Sequence, residues 1–416
     1  MDFLQLLEAN LPAEKLALVR MAGQIAQGEG VSLYLVGGAV RDLLLGRPVE
    51  DIDLVVEGDA ETLAYIIAKR LSGRVVSRSQ FSTAKVKVEG TSLDLITARS
   101  EHYARPGALP QVAHGTMEED LARRDFSINA MAFPLHRKGD GRLLDSFGGI
   151  QDLESGLIRV LHDKSFVDDA TRILRAVRYE QRLGFRLEDG TEALLCRDLP
   201  MLDTISGDRL RKELQLWLKE GRCTQMILRG EQLGVLVAIH PALAESGKAV
   251  QRAAERSGDR GVEEQVYLGL LAYALTPANG ERLIARLRMP PRWATVVRDT
   301  IALKDRLPWL AAADLSPAGI YEALAPLTPP AVQACALATT EEETRQRLTL
   351  FLEKLRYVKP ALGGKELIAL GVPQGPAVGE MLRKLRVARL EGAVGSRSGE
   401  AALVRGWLAA QDDRAF

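Results

Sequence analysis

The stretch that most constrains this chain is residues 34–57, YLVGGAVRDLLLGRPVEDIDLVVE. It predicts a strand, a Gly-Gly turn, a short helix, a break at Gly46 to Pro48, and a second strand. Asp51, Ile52, Asp53 and Leu54 alternate, and at period two both carboxylates share one strand face. Two carboxylates so placed need a compensating partner. A hard cation such as Mg²⁺ takes oxygen ligands and usually combines one or two carboxylates with substrate phosphates. Gly37 and Gly38 let backbone N–H groups approach a phosphate, helped by the start of the following helix. The plain alternative is a strand edge with two solvated Asp residues beside an ordinary turn. A Gly-Gly pair with twelve residues between Gly38 and Asp51 favours a triphosphate and its metal.

At 416 residues the chain is long enough for two or more domains. Lys+Arg and Asp+Glu balance at 55 each, so an RNA partner would need a local basic surface. Aromatic residues are only 5%, which argues against a base-stacking platform. Cys196, Cys223 and Cys335 stand far apart without metal-ligand spacing, which suggests a reducing cytosol and no structural zinc. The first residues, MDFLQLLEANLP, do not read as a signal peptide, and no run of about 18 apolar residues is present to span a membrane. A cytoplasmic location is expected.

Along the chain, apolar spacing predicts one or two helices in residues 1–28, a helix at 60–71, and strands at 74–77, 83–88 and 92–98. Glu89-Gly90 signals a hairpin. Asp94, between Leu93 and Leu95, faces either a cation or a partner such as Lys85 or Lys87. Residues 99–120 lose periodicity and contain Pro106-Gly107 and Pro110, which predicts a long loop. Arg123-Arg124-Asp125 with Asn129 is either a solvated helix start or a clamp for phosphates and a ribose hydroxyl. Residues 166–184 predict one helix with Ile173, Leu174 and Val177 on one side and Asp168, Arg172, Arg175 and Arg178 on the other. Its plain reading is a surface helix with Asp–Arg pairs. Beyond Phe185 the pattern is almost wholly helical, with Ser206 as a cap and helices at 223–237, 263–275, 281–288, 292–305, 317–325, 330–338, 341–356, 365–370, 376–390 and 398–410. Lys384, Arg386, Arg389, Arg397 and Arg405 are candidate phosphate contacts, or else a solvated face.

These motifs, in this order, resemble those of bacterial class II tRNA nucleotidyltransferases and their poly(A) polymerase relatives, within the DNA polymerase beta-like nucleotidyltransferase superfamily. The matching segments are Leu35-Val-Gly-Gly-Ala-Val-Arg-Asp42, Glu50-Asp-Ile-Asp53, Arg123-Arg-Asp-Phe-Ser-Ile-Asn-Ala130, and Asp168-Asp-Ala-Thr-Arg172 followed by Leu174-Arg-Ala-Val-Arg178. Asp168 stands where the family usually has Glu. The resemblance implies an α+β protein: a small mixed α/β nucleotidyltransferase head (1–142), a helical neck carrying the nucleotide-selecting motif (143–215), and an all-helical body and tail for tRNA (216–416). It implies that Asp51 and Asp53 hold two Mg²⁺ ions and that Asp94 is a third catalytic carboxylate. Gly37, Gly38 and Arg41 would bind the triphosphate, and Arg124, Asp125 and Asn129 the ribose and phosphates. Asp169 and Arg172 would read the base, with Arg175 and Arg178 in support. The implied reaction adds C and/or A of the CCA sequence to the tRNA 3′ end from CTP and ATP. Addition of A alone stands close behind. Residues 99–120 match the family's flexible loop, 144–153 its head-to-neck link, and Gln80-Phe-Ser-Thr-Ala-Lys-Val86 its tRNA-type segment.

Overall fold

The computed structural model describes residues 3–49, 51–79, 83–135, 142–258, 262–311 and 315–412. Glu50 and residues 80–82 of the motif segments lie outside the described residues. The chain divides into two compact units, residues 1–214 with 232–239, and residues 215–231 with 240–416. The expected head and neck therefore share one unit.

The first unit opens with α1 (Phe3–Asn10) and α2 (Ala13–Gly28). Then come β1 (Ser32–Val36), α3 (Gly38–Leu44), β2 (Asp53–Glu57) and α4 (Ala60–Arg70), whose start is capped by the Asp59 side chain. β3 (Arg74–Ser79), β4 (Thr83–Val88) and β5 (Thr91–Thr97) follow. Glu89 (φ 46°) and Gly90 (φ 94°) are both left-handed at the β4–β5 turn, as a two-residue hairpin demands. With β8, introduced below, these strands form a six-stranded sheet in the order β3-β4-β5-β2-β1-β8. β2 and β5 are parallel, and their register sets Asp53 beside Asp94. Ile52 and Leu54 are buried and Asp53 is half-buried, so the period-two pattern holds. Asp51, however, precedes the strand and is exposed.

The structure corrects two expectations in the stretch that follows. Residues 99–120 are not a featureless loop: β6 (Arg99–His102) and β7 (Gln111–His114) pair as an antiparallel ribbon. α5 (Met117–Ala122) then starts with a Thr116/Glu119 capping box. A short 3₁₀ turn (Ser127–Asn129) leads to β8 (Ala132–Pro134), α6 (Gly149–Ser155) and β9 (Leu157–Ile158). In the 144–153 link, Asp145 accepts from the N–H groups of Gly149 and Ile150, and Asp152 accepts from Ser127 Oγ. The second correction concerns residues 166–184. They form α7 (Ser165–Asp168) and α8 (Thr171–Leu183), broken at Asp169, whose backbone is extended (φ −138°, ψ 98°). Asp168 and Asp169 therefore do not ride the wheel of α8. Nor is α8 a surface helix: Arg172 and Arg178 are buried beside Ile173, Leu174 and Val177. β10 (Arg186–Leu187), α9 (Asp189–Asp198) and α10 (Gly207–Lys219) follow.

α11 (Cys223–Gln232) and α12 (Val235–Ile239) replace the single helix expected at 223–237. The second unit continues with α13 (Ser246–Ser257), α14 (Glu264–Ala272), α15 (Pro277–Arg286), α16 (Pro291–Ala311), α17 (Pro317–Leu324), α18 (Pro329–Ala338) and α19 (Glu342–Glu353). It closes with α20 (Gly364–Ala369), α21 (Pro376–Leu390) and α22 (Arg397–Asp412). α13 escaped the sequence reading because its buried face is small, Ala249, Val250 and Ala253 among charged residues. Two apolar clusters stand out among the described residues of this unit. One centres on Leu303, Leu307, Leu324, Val332, Leu348 and Phe351, and the other on Leu362, Leu367, Met381, Leu385 and Val404. Three of the five basic candidates are tied within the protein. Arg386 donates to Tyr321 Oη at 2.6 Å, Arg389 pairs with Glu400, and Arg397 pairs with Glu366.

Glu400 is fully buried, and its carboxylate also accepts from the N–H groups of Ala361 and Leu362 at 2.9 and 2.8 Å. Replacing it leaves the buried Leu362 N–H, the Ala361 N–H and Arg389 without their acceptor. Glu400→Ala is expected to cost about 3 kcal/mol in thermal denaturation, with faster hydrogen exchange at Ala361 and Leu362.

Candidate active site

The β2–β5 pairing, the β6–β7 ribbon, the turn after α5 and the α7–α8 break converge on one cleft of about 540 Å³. Its walls include Asp53, Arg99, Glu101, Tyr103, Arg123, Arg124, Asp125, Asp169, Thr171, Arg172 and Arg175. Six sequence-selected residues thus share one space: Asp53, Arg124, Asp125, Asp169, Arg172 and Arg175.

At the sheet, Asp53 lies beside Asp94, and Asp94 in turn meets Lys85 Nζ at 3.0 Å. Of the two expectations for Asp94, the pairing with Lys85 is the one observed. Burial pushes the Asp53 carboxyl above the usual carboxylate range, and the charges of Asp94 and Asp51 push the same way against Arg124. Such repulsion is what a divalent cation relieves, and the donors are all oxygen. Among the described residues no three His, Cys, Asp or Glu side chains form a complete metal cage.

Gly37 (φ 64°) precedes α3, and a Cβ there would stand 2.5 Å from Arg124 Nη1, so glycine lets this guanidinium lie against the turn. Its N–H donates to Met131 O at 3.1 Å, which takes it away from the expected phosphate contact. Gly38 begins α3, where the first N–H groups have no intrahelical acceptor. Arg124 is held by Asp120, which is fully buried and also pairs with Arg123.

Arg41 departs from its expected role. It is buried, donates to Asp42 through Nε and Nη2 at 2.9 Å each, and donates to Asn129 Oδ1 through Nη1 at 2.7 Å. Asn129 passes the chain on, donating to Asp125 Oδ1 at 3.0 Å. The other Asp125 oxygen accepts from Arg175 Nε and Nη2 at 2.8 and 2.5 Å. Arg41, Asn129 and Asp125 are thus engaged with protein rather than directed as ligands. Burial alone would raise Asp125; Arg175 and the Asn129 bond override it and hold the carboxyl at about 2. The Tyr179 ring lies between 5.1 and 5.7 Å from the guanidiniums of Arg41, Arg175 and Arg178.

At the opposite wall, Arg172 donates to Ser165 Oγ at 2.7 Å and to Arg123 O at 2.6 Å. Asp169 accepts from the Thr171 N–H, the Thr171 hydroxyl and Arg209 Nη2 at 2.9, 2.7 and 2.7 Å. Tyr103 donates to Glu101 at 2.8 Å, and burial followed by the Glu101 charge pushes its phenol upward. Sequence reading missed Asp120, Glu101, Tyr103, Thr171 and Arg209. The Thr116–Glu119 capping box marks the helix carrying Asp120; Arg209 sat beside the Ser206 cap with nothing to set it apart.

Paired carboxylates on the two central strands of the sheet, beside a guanidinium-rich cleft, fit a nucleotidyltransferase-type head, and residues 33–159 match the Poly A polymerase head domain family. The chain is 34% identical to an A-adding tRNA nucleotidyltransferase of Geobacter sulfurreducens over 96% of its own length. It spans only 48% of that relative. It is 32% identical to an A-adding tRNA nucleotidyltransferase of Halalkalibacterium halodurans, covering 94% of this chain and 92% of the relative. The solved Thermotoga maritima CCA-adding enzyme complexed with tRNA-CCA superposes with a TM-score of 0.79 at 30% identity, covering 98% of this chain and 99% of that one. The chain belongs to the tRNA nucleotidyltransferase family.

Because Asp125 is held below its ordinary 3.8, it stabilises the fold fully above that pH, and the contribution is lost as pH falls towards about 2. Asp125→Asn should flatten that acid limb in urea titrations. It should also cost about 3 kcal/mol at neutral pH, where Arg175 loses its nearest anion.

Proposed function

We propose that this chain is a template-independent tRNA nucleotidyltransferase that adds C and/or A of the CCA sequence to the tRNA 3′ end from CTP and ATP. The observation that carries this reading is the arrangement of one cleft: Asp53, beside Asp94, at the sheet and an acceptor–donor pair, Asp169 and Arg172, at the helix break. Mg²⁺ bound by Asp51 and Asp53 would supply charge neutralisation at the triphosphate and a more acidic 3′-hydroxyl. Arg124, between Gly37 and Asp120, meets the phosphates. The tRNA 3′-oxygen attacks the α-phosphorus, the bond to the β-phosphate oxygen breaks, and pyrophosphate leaves. The hydroxyl proton passes to the carboxylate cluster, with Asp94 as its third member.

Cytosine and adenine both present an amino donor beside a ring-nitrogen acceptor. Uracil and guanine present a carbonyl and a ring N–H instead. Asp169 accepts and Arg172 donates, so the pair selects C and A without a nucleic-acid template. Two anchors on Arg172, Ser165 and the Arg123 carbonyl, hold its guanidinium in place while leaving further N–H donors for the base. The helical second unit is the part that holds tRNA, by shape and by phosphate and 2′-hydroxyl contacts. Addition of A alone is the second reading, favoured by the A-adding relatives.

Three tRNA transcripts, lacking CCA, ending in C, and ending in CC, distinguish the readings when each is given CTP, ATP or both. Extension of all three to CCA is expected. Extension of only the CC-ended transcript, by one A, establishes the second reading. Asp53→Ala should abolish transfer and leave tRNA affinity in gel-shift titrations unchanged; retained transfer overturns the metal assignment.

A further inference from the structure

Asp169 is held unevenly. All three of its protein donors, the Thr171 N–H, the Thr171 hydroxyl and Arg209 Nη2, fall on Oδ1. Oδ2 of this cleft-lining carboxylate has no donor among the described residues. A carboxylate on an extended backbone residue between two helices has free χ rotation unless something fixes it. Thr171, two residues on, fixes it locally. Arg209 fixes it from a separate element, α10, at 2.7 Å and with both side chains largely shielded from water.

The same helix repeats the device one turn later. Glu213 lies 3.8 Å from Arg175 and 3.7 Å from Arg178 on α8. α10 thus offers a cation to the break before α8 and an anion to α8 itself, so opposite charges set its position against the base-reading segment. Arg209 reaches one further group. Its Nη1 lies 3.4 Å from the carbonyl of Gly107, in the connection between β6 and β7. Gly107 (φ 71°) packs so close to Thr204 that a side chain there would clash. One guanidinium therefore joins the carboxylate to the ribbon that walls the same cleft.

We infer that Arg209 is a positioning residue for base selection: it grips Asp169 through Oδ1 and so presents Oδ2 to the exocyclic amino group of the incoming base. The inference rests on the proposed reading of Asp169 as the base acceptor. Arg209 need not touch the nucleotide. Its effect falls on the difference between ATP and GTP, whose six-position groups are a donor and an acceptor respectively.

The test compares the full-length wild type with Arg209→Ala, Arg209→Lys and Thr171→Val. It measures single-turnover addition to a CC-ended tRNA with ATP or GTP and Mg²⁺, and equilibrium binding of both nucleotides by displacement of a fluorescent ATP analogue. Arg209→Ala is expected to lower the ATP-over-GTP ratio about tenfold, the scale of one charged hydrogen bond. The loss should appear mainly in the KM for ATP, with tRNA affinity unchanged. Arg209→Lys keeps the cation and should restore most of the ratio. Thr171→Val removes one neutral donor and should give a smaller loss in the same direction. An unchanged ratio in a folded Arg209→Ala protein, or equal loss with ATP and GTP, overturns the inference. If Arg209→Ala does not fold, Arg209→Lys and Thr171→Val carry the decision: wild-type ratios in both overturn it. If the wild type adds nothing to any tRNA, the functional reading fails separately, and the ATP-over-GTP binding ratios still decide the role of Arg209.

Discussion

The ion pair between the buried Asp125 and the half-buried Arg175 is the joint on which the site depends. Asp125 follows the Arg123-Arg124 pair in the head, and Arg175 sits one turn into α8. Removing Arg175 would strand the buried Asp125 charge, so the two elements keep one relative position. The constraint extends by hydrogen bonds through Asn129 to Arg41 and Asp42 on α3. Tyr179 packs against three of the guanidiniums involved, giving their positive charge an aromatic face to lie on. The turn after α5, α3 and α8 are thereby tied together by one chain of side-chain contacts.

The site divides its labour by electrostatics. At the sheet, carboxylates repel one another, Asp53 most visibly, and that region favours cations. At the other wall, guanidiniums are held by carbonyls and carboxylates, and the region favours phosphates and base acceptors. Asp120 links the two: one oxygen holds Arg123, whose carbonyl anchors Arg172, and the other holds Arg124 beside Gly37. One buried aspartate thus fixes both Arg124 and, through Arg123, Arg172.

Much of this was legible in the sequence where one local rule dominated. Alternation in residues 51–54, the Glu89-Gly90 turn and the apolar spacing of α4, α17 and α21 each reported the element that formed. Reading failed where tertiary contacts override period. The wheel for residues 166–184 assumed a continuous helix, but Asp169 leaves helical geometry to give its carboxylate to Thr171 and Arg209. The arginines of α8 look like a solvated band by composition, yet Arg172 and Arg178 are buried, with Ser165, the Arg123 carbonyl and Glu213 arriving from elsewhere. Arg41 was expected to bind phosphate, yet Nε, Nη1 and Nη2 each donate to Asp42 or Asn129.

By itself the sequence determined which chemical groups are available and in what order: glycines before a helix, alternating carboxylates, an arginine pair, and an acceptor–donor pair. These are local facts, set by residue type and spacing of a few positions. Only the tertiary structure decided which donors remain for a ligand. That depends on partners 40 to 100 residues away, such as Arg209 for Asp169 and Asn129 for Arg41. A side chain's hydrogen-bonding capacity belongs to the residue; how much of it is left over belongs to the fold.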